Sequence, residues 1–308
     1  MSLPKPPVQH KRTTSFSFIN EEEATKVFKD VLREAGVILG GAALGQGLKL
    51  AANYQLMKKR EEMGMNFDKN IAPLLPVEES FYVVDVGVVL SQVYQWRKAF
   101  PRVEPFYAVK CNPDPMIIKT LAIFGCNFDC ASRGEIRLVQ EATKDLPIRK
   151  PEIIYANPCK ARSHMIEAIN RGVTMVTFDN ESEVEKCHQI VTQMQKHYNN
   201  KDKAYIELIM RIVTDDRGSQ CRLSSKFGAH RQKWRSLLAT AKKFGIPVVG
   251  VSFHVGSGCR DSSRYELALE DAREIFDMAE KDYGMKMSIL DIGGGFPGKN
   301  PLNEMRNC

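Results

Sequence analysis

The sequence lacks most of the features that would place it at a glance. It has no Cys-x-x-Cys pair and no histidine at zinc-finger spacing, so its eight cysteines spell no metal framework. They are scattered as Cys111, Cys126, Cys130, Cys159, Cys187, Cys221, Cys259 and Cys308. That scatter reads as reduced thiols of a cytoplasmic protein. Lys5, Lys11 and Arg12 are not followed directly by an apolar run, which argues against a secretory leader. The apolar stretch 37–52 is interrupted by Gly40, Gly41, Gly45, Gly47 and Lys49. It is shorter than the roughly 20 apolar residues of a membrane span, so a buried or partner-facing helix is expected there. There is no long basic run either. The net charge of +7 comes from Lys and Arg interspersed with Asp and Glu, which argues against nucleic acid as a partner and is compatible with a phosphorylated ligand.

What is present is an α/β rhythm. Residues 1–19, rich in Pro, Ser, Thr and basic side chains, are expected to be disordered. Residues 20–79 are expected to form a helical extension and a proline-containing connection, with Asn20 and Glu23 opening the first helix. From residue 80 to 298, short runs rich in Val, Ile, Phe and Tyr alternate with helical patterns, and 299–308 form an atypical tail. Strands are expected over 81–86, 105–109, 127–131, 152–156, 174–178, 206–214, 248–255 and 288–292. Between them lie helix starts at Ser132 with Glu135, Asn180 with Glu183, and Ser263 with Glu266, and a proline-led first turn at Pro113 or Pro115. Gly125, Gly172, Gly245 and Gly284 stand where helices should stop.

Alternating strands and helices imply a parallel sheet with right-handed crossovers, either an open doubly wound sheet or a barrel. The unusual residues decide between them. Lys110, Asp129, Asn157, Asp179, Asp215, His254 and the Gly293-Gly294-Gly295 run fall at the C-terminal ends of nearly every strand. An open sheet concentrates its site at one switch point, whereas a barrel gathers residues from many strand ends around one mouth. A TIM-like (β/α) barrel is therefore expected.

The chemistry at those ends is specific in combination. Lys110 closes an apolar strand, where a desolvated amine becomes a nucleophile; by itself it also fits a lysine that snorkels to water. Gly293, Gly294 and Gly295 let backbone amides approach a phosphate, or form an ordinary tight turn. His254, before Gly256, Ser257 and Gly258, could stack on an aromatic cofactor or be a core histidine. Asp129 would hold positive charge beside a lysine. Glu135 lies one helical turn further and could cap its own helix. Arg222 lies in the long loop 215–230, where by itself it reads as a solvated loop arginine. Gly298 follows too late, after Pro297, for a dinucleotide fingerprint. An amine, phosphate donors and a stacking face are the parts that pyridoxal phosphate requires.

Six segments carry a resemblance: Phe106-Tyr107-Ala108-Val109-Lys110-Cys111-Asn112, Phe128-Asp129-Cys130-Ala131-Ser132, Tyr155-Ala156-Asn157-Pro158-Cys159-Lys160, Cys221-Arg222-Leu223-Ser224, Phe253-His254-Val255-Gly256-Ser257-Gly258-Cys259, and Leu290 through Gly298. In this order they resemble the eukaryotic-type ornithine decarboxylases, of the fold-type III pyridoxal-phosphate-dependent decarboxylase family, over residues 81–298. The resemblance implies that Lys110 holds the cofactor as a Schiff base and His254 stacks on its ring. It implies that Ser257, Gly294 and Gly295 bind the phosphate, and that Asp129, Glu135 and Arg222 belong to the active site. It further implies decarboxylation of L-ornithine to putrescine in polyamine biosynthesis, a homodimer, and antizyme as a possible partner. Against the family pattern, the barrel is expected to stop before its eighth strand, with that strand's Glu-Pro-Gly-Arg element and the C-terminal β-domain absent. The isolated chain is therefore expected to fold poorly and to be inactive. An alternative reading is a non-catalytic, antizyme-inhibitor-like partner of antizyme or of a full-length decarboxylase.

Overall fold

A computed structural model describes residues 84–199 and 204–296. The extension expected over 20–79, the disordered segment over 1–19 and the tail 299–308 lie outside the described residues. The first described element is helix α1 (Val86–Ala99), followed by strand β1 (Phe106–Ala108) and a 3-10 turn (Val109–Cys111). Then come α2 (Pro115–Ile123), β2 (Asn127–Cys130), α3 (Arg133–Thr143), β3 (Ile153–Tyr155), α4 (Arg162–Asn170), β4 (Met175–Phe178), α5 (Glu181–Tyr198) and β5 (Glu207–Arg211). A 3-10 turn (Arg231–Lys233), α6 (Trp234–Phe244), β6 (Val248–Ser252), α7 (Ser263–Tyr283) and β7 (Ile289–Asp291) complete the described chain.

The seven strands are all parallel and lie in chain order, with no reversal that would mark a doubly wound sheet. The sheet is curled. Ile154, Met175 and Ile209 form one inner cluster with Phe106 of β1 and Ile289 of β7 packed against it. Strands at opposite ends of a flat seven-stranded sheet would be roughly 29 Å apart at about 4.8 Å per step, too far to share a cluster. The larger core lies between the outer face of the sheet and the helices, around Phe128, Tyr155, Phe178, Leu208, Trp234 and Phe253. β1 and β7 do not pair with each other, so the described strands form an open barrel, as expected. The gap is bridged in the outer layer. Phe296 stacks on Tyr265 of α7 and meets Trp96 and Phe100, at the end of α1, edge-on at 5.2 and 5.4 Å.

One expected strand is corrected. Residues 81–83 lie outside the described residues, and Asp85 is the N-cap of α1, its carboxylate accepting the amides of Gly87 and Val88 at 2.9 and 3.3 Å. The apolar run then continues at helical spacing, with Val86, Leu90 and Val93 buried. The start expected at Ser263 falls one residue earlier: Ser262 is the N-cap of α7, and Asp261 accepts the Ser263 amide at 3.0 Å. Asn180 caps α5 as expected, but the Glu183 carboxylate does not return to that cap; it turns inward to Lys160.

β6 carries a feature that its sequence does not announce. Register shifts between Leu208 and Ile209 of β5, so that Val249 is left over and turns toward the inner cluster. Gly250 then faces Ile289, where a β-carbon would lie 2.1 Å from the Ile289 carbonyl oxygen. Gly250→Ala must therefore push β7 away from β6. The expected cost is about 1–3 kcal/mol, read as a lower urea midpoint with faster amide exchange in β7. An alanine variant with unchanged β7 protection would contradict that packing.

Candidate active site

The inward-facing positions form layers. Above the apolar cluster of Phe106, Ile154, Met175, Ile209 and Ile289, the next inward positions toward the C-terminal strand ends are Asp129, Arg211, Ser252 and Asp291. Lys110 and His254 stand beyond them. The polar groups thus rest on an apolar floor and face the mouth, the arrangement expected of a barrel site.

Lys110 departs from its expected setting. β1 ends at Ala108, and Lys110 sits exposed in the 3-10 turn that follows, rather than desolvated at a buried strand end. Buried Val109 anchors that turn. The charge of Lys110 acts on both Asp129 and His254, which places all three at one mouth.

Burial pushes the Asp129 carboxyl up to about 6. Asp291 and Glu135 add to the rise, while Lys110 and Arg211 oppose it. His254 is driven the other way, down to about 4, by burial and then by the cations Arg211 and Lys110. Its Nδ1 accepts the Gly256 amide at 3.0 Å, so the neutral ring carries its proton on Nε2. A neutral imidazole at physiological pH has an uncharged face suited to stacking.

These shifts give stability slopes of opposite sign. Asp129, raised in the fold, contributes stability that is full below its unfolded value of about 3.9 and is lost as pH climbs to about 6. His254, lowered in the fold, contributes stability that is lost as pH falls from about 6.5 to about 4. The two oppose each other between roughly pH 4 and 6. Asp129→Asn is expected to remove one slope and expose the other, so that urea midpoints fall more steeply with acid than in the parent. An unchanged acid slope in this variant would contradict the assignment.

The two glycine-rich turns lie against each other. A β-carbon on Gly294 would come within 3.0 Å of His254 Nε2, and one on Gly295 within 2.6 Å of the Gly256 carbonyl. Gly295 also has φ +108°, a backbone that side-chain-bearing residues rarely adopt. The long loop after β5 is tied over the first turn. Cys221 and Ser257 exchange amide-to-carbonyl bonds of 3.1 and 3.0 Å, and Ser219 Oγ donates to the Val255 carbonyl at 2.7 Å. The Ser257 amide is thus spent on Cys221, and the Gly256 amide on His254 Nδ1. The Ser257 hydroxyl and the amides of Gly294 and Gly295 donate to no group among the described residues. Three donors around a turn that only glycine fits suit a phosphate, so the residues present fit a phosphorylated cofactor.

Glu135 is occupied locally. Its Oε2 accepts the amide of Ala131, one residue before the cap, at 2.7 Å, and its own amide donates to Ser132 Oγ at 3.2 Å, so the expected capping pair meets while its charge still reaches Asp129. Arg222 is placed elsewhere than expected. Its side chain is 60% exposed and its Nε donates at 3.2 Å to buried Asp216, which also accepts the amides of Leu223 and Ser224. The structure assigns it to the loop hub and does not bring it to Lys110. The arginine whose charge reaches Asp129, Asp179, Asp291 and His254 is Arg211, at the end of β5. Burial weakens its hold on its proton, and those carboxylates offset only part of that loss. Arg211 and Ser252 were legible only as inward positions at strand ends, with no motif to mark them; Asp291 stands in the segment of the glycine run, but nothing there announced its role.

Known proteins align with this architecture. The family profile described as "Pyridoxal-dependent decarboxylase, pyridoxal binding domain" matches residues 86–306. Ornithine decarboxylase of Mus musculus is 48% identical over 221 residues, which are 72% of this chain and 44% of that protein. Antizyme inhibitor 2 of Xenopus laevis is also 48% identical, over 220 residues, covering 71% of this chain and 44% of that protein. The chain thus spans less than half the length of these relatives. The crystal structure of ornithine decarboxylase from Entamoeba histolytica superposes with a TM-score of 0.64 at 32% identity, covering 78% of this chain and 63% of that one. The arginine decarboxylase of Paramecium bursaria Chlorella virus gives 0.64 at 38%, covering 74% and 57%.

Proposed function

The chain belongs to the pyridoxal-dependent decarboxylases, as their pyridoxal-binding domain, and from that premise we propose that its mouth serves the decarboxylation of L-ornithine to putrescine. The cofactor of the domain is pyridoxal phosphate. The barrel unit in this reading is 80–298, acting in the cytoplasm within a homodimer. No described helix is long and apolar enough to cross a membrane. The observation that carries the reading is the convergence of Lys110, Asp129, Arg211 and His254 beside three unspent phosphate donors.

When bound, the cofactor supplies an electron sink for the pair released as CO₂ leaves. Lys110, exposed in its turn, would be the amine that holds it. Ser257 Oγ and the amides of Gly294 and Gly295 would hold its phosphate. The neutral His254 ring offers the stacking face. Asp129 changes protonation near pH 6, and so can hold a proton at its carboxyl close to neutrality. Glu135 keeps the start of α3 and the Asp129 strand end in place.

The chain alone is expected to retain the cofactor and release little CO₂, since the described strands leave the ring unclosed between β7 and β1. Incubation of purified chain with pyridoxal phosphate and carboxyl-labelled ornithine tests both parts. Absence of retained cofactor would overturn the reading, and turnover with lysine or arginine in place of ornithine would overturn the substrate. A second reading is supported by the equal identity to antizyme inhibitor 2: a non-catalytic partner of antizyme. Capture of antizyme by a chain that retains no cofactor would favour it.

A further inference from the structure

Asp291 ends β7, directly before the glycine run, and its carboxylate is used on both sides. Oδ1 accepts the Gly293 amide at 2.9 Å. Oδ2 accepts the hydroxyl of Ser252, at the end of β6, at 2.7 Å. Ser252 and Asp291 are register partners, so the side-chain bond reinforces the backbone pairing of the two strands that carry the cradle. Gly293 itself has φ +63°, and a β-carbon there would strike the Phe253 carbonyl at 2.1 Å. The turn is thus pressed against β6 and held in that position by one side chain. The same carboxylate lies within the field of Arg211 and Asp129.

We propose that Asp291 is the positioning residue of the phosphate cradle: one oxygen folds the glycine turn, the other locks it to Ser252, and its charge holds Arg211 over the mouth. Asp291 does not touch the cofactor. It aims the Gly294 and Gly295 amides and links the cradle to the Lys110–Asp129 side of the site. The inference deepens the cofactor reading above and rests on it. Asp129 is faced by Lys110 from the turn after β1, Glu135 from α3, Arg211 from β5 and Asp291 from β7. Loss of the Asp291 charge removes one of the two carboxylates that favour the neutral form of Asp129.

The test titrates pyridoxal phosphate into the full chain, follows absorbance between pH 5 and 8, and fixes the adduct with borohydride. Asp291→Ala is expected to weaken cofactor affinity about tenfold or more, while saturating cofactor is still fixed at Lys110. In Asp291→Asn the amide oxygen still accepts the Gly293 amide, and its NH₂ group can donate to Ser252 Oγ. Affinity in that variant should recover most of the way to the parent, while the inflection near pH 6 in the affinity profile moves to lower pH. Parental affinity in the alanine variant would overturn the inference. So would an asparagine variant as weak as alanine, or one with an unmoved inflection. If the alanine variant does not fold, Ser252→Ala decides: weaker affinity at an unchanged melting temperature supports the clamp, and unchanged affinity overturns it. Failure of the unsubstituted chain to retain cofactor would instead overturn the underlying reading, and the inference with it.

Discussion

Lys110→Ala is expected to abolish the borohydride-fixed adduct with pyridoxal phosphate altogether while leaving thermal stability unchanged. The two halves of that result have separate causes. Lys110 is exposed, in a short turn whose anchor is the buried Val109, and substitution of an exposed side chain costs within about 0.5 kcal/mol. Its amine is nevertheless the nucleophile proposed for the site. Lys160 also lies in a strand-end loop, but its amine is fully buried and surrounded by Asn157, Thr177 and Glu183. Peptide mapping of the reduced adduct checks the prediction. Label remaining in the alanine variant, on Lys160 or elsewhere, would remove Lys110 from its role.

Lys160→Met should have the opposite profile, a large loss of stability. The Lys160 amine donates to the carbonyls of Asn157 and Thr177 at 2.9 and 2.6 Å and pairs with Glu183 at 2.9 Å, with neither side chain more than 1% exposed. Removing one partner of a buried pair leaves an uncompensated charge, typically at about 3–5 kcal/mol. Here the cost should fall near 3 kcal/mol, because Lys186 also binds Glu183 from a more exposed position. That is still a large share of the roughly 5–15 kcal/mol that holds an ordinary domain folded. Lys186→Met, which removes only the outer partner, should cost under about 1 kcal/mol. Urea midpoints for the two variants give the ranking, and equal losses would show that the inner pair is not the stabilising one. The pair ties the loop after β3 to β4 and to the start of α5, so its loss should loosen the mouth before the whole barrel unfolds.

The positions of strands and helices followed from local chemistry. Seven strands stand where the Val-, Ile-, Phe- and Tyr-rich runs place them, because period-two burial and glycine or proline punctuation act within a few residues. Ser132 and Asn180 cap the helices they were expected to cap for the same reason. The run at 81–86 misled because its apolar residues continue into a helix, and only the Asp85 cap tells the two apart. Glu183 also misled: its spacing from Asn180 is that of a capping partner, but a buried lysine 23 positions earlier in the chain draws its carboxylate away.

The site divides in the same way. Lys110, Asp129, His254, Ser257 and the glycine run could be named from sequence because each lies in a contiguous motif at a strand end. Their family membership follows from those motifs. Arg222 carried such a motif, yet it serves the loop hub at Asp216. Arg211 carried none, and Asp291 stood in the glycine-run motif without a role of its own, yet both face Asp129 across the barrel. A charge on an inward strand position acquires its partners only when distant strands curl around one lumen, and the need for Gly250 arises only from the carbonyl of a neighbouring strand. The sequence alone determined the seven strands, the helices between them and the family whose cofactor they share. Only the tertiary structure decided which charges meet, because those meetings join β2, β5 and β7 through space, where no local pattern records them.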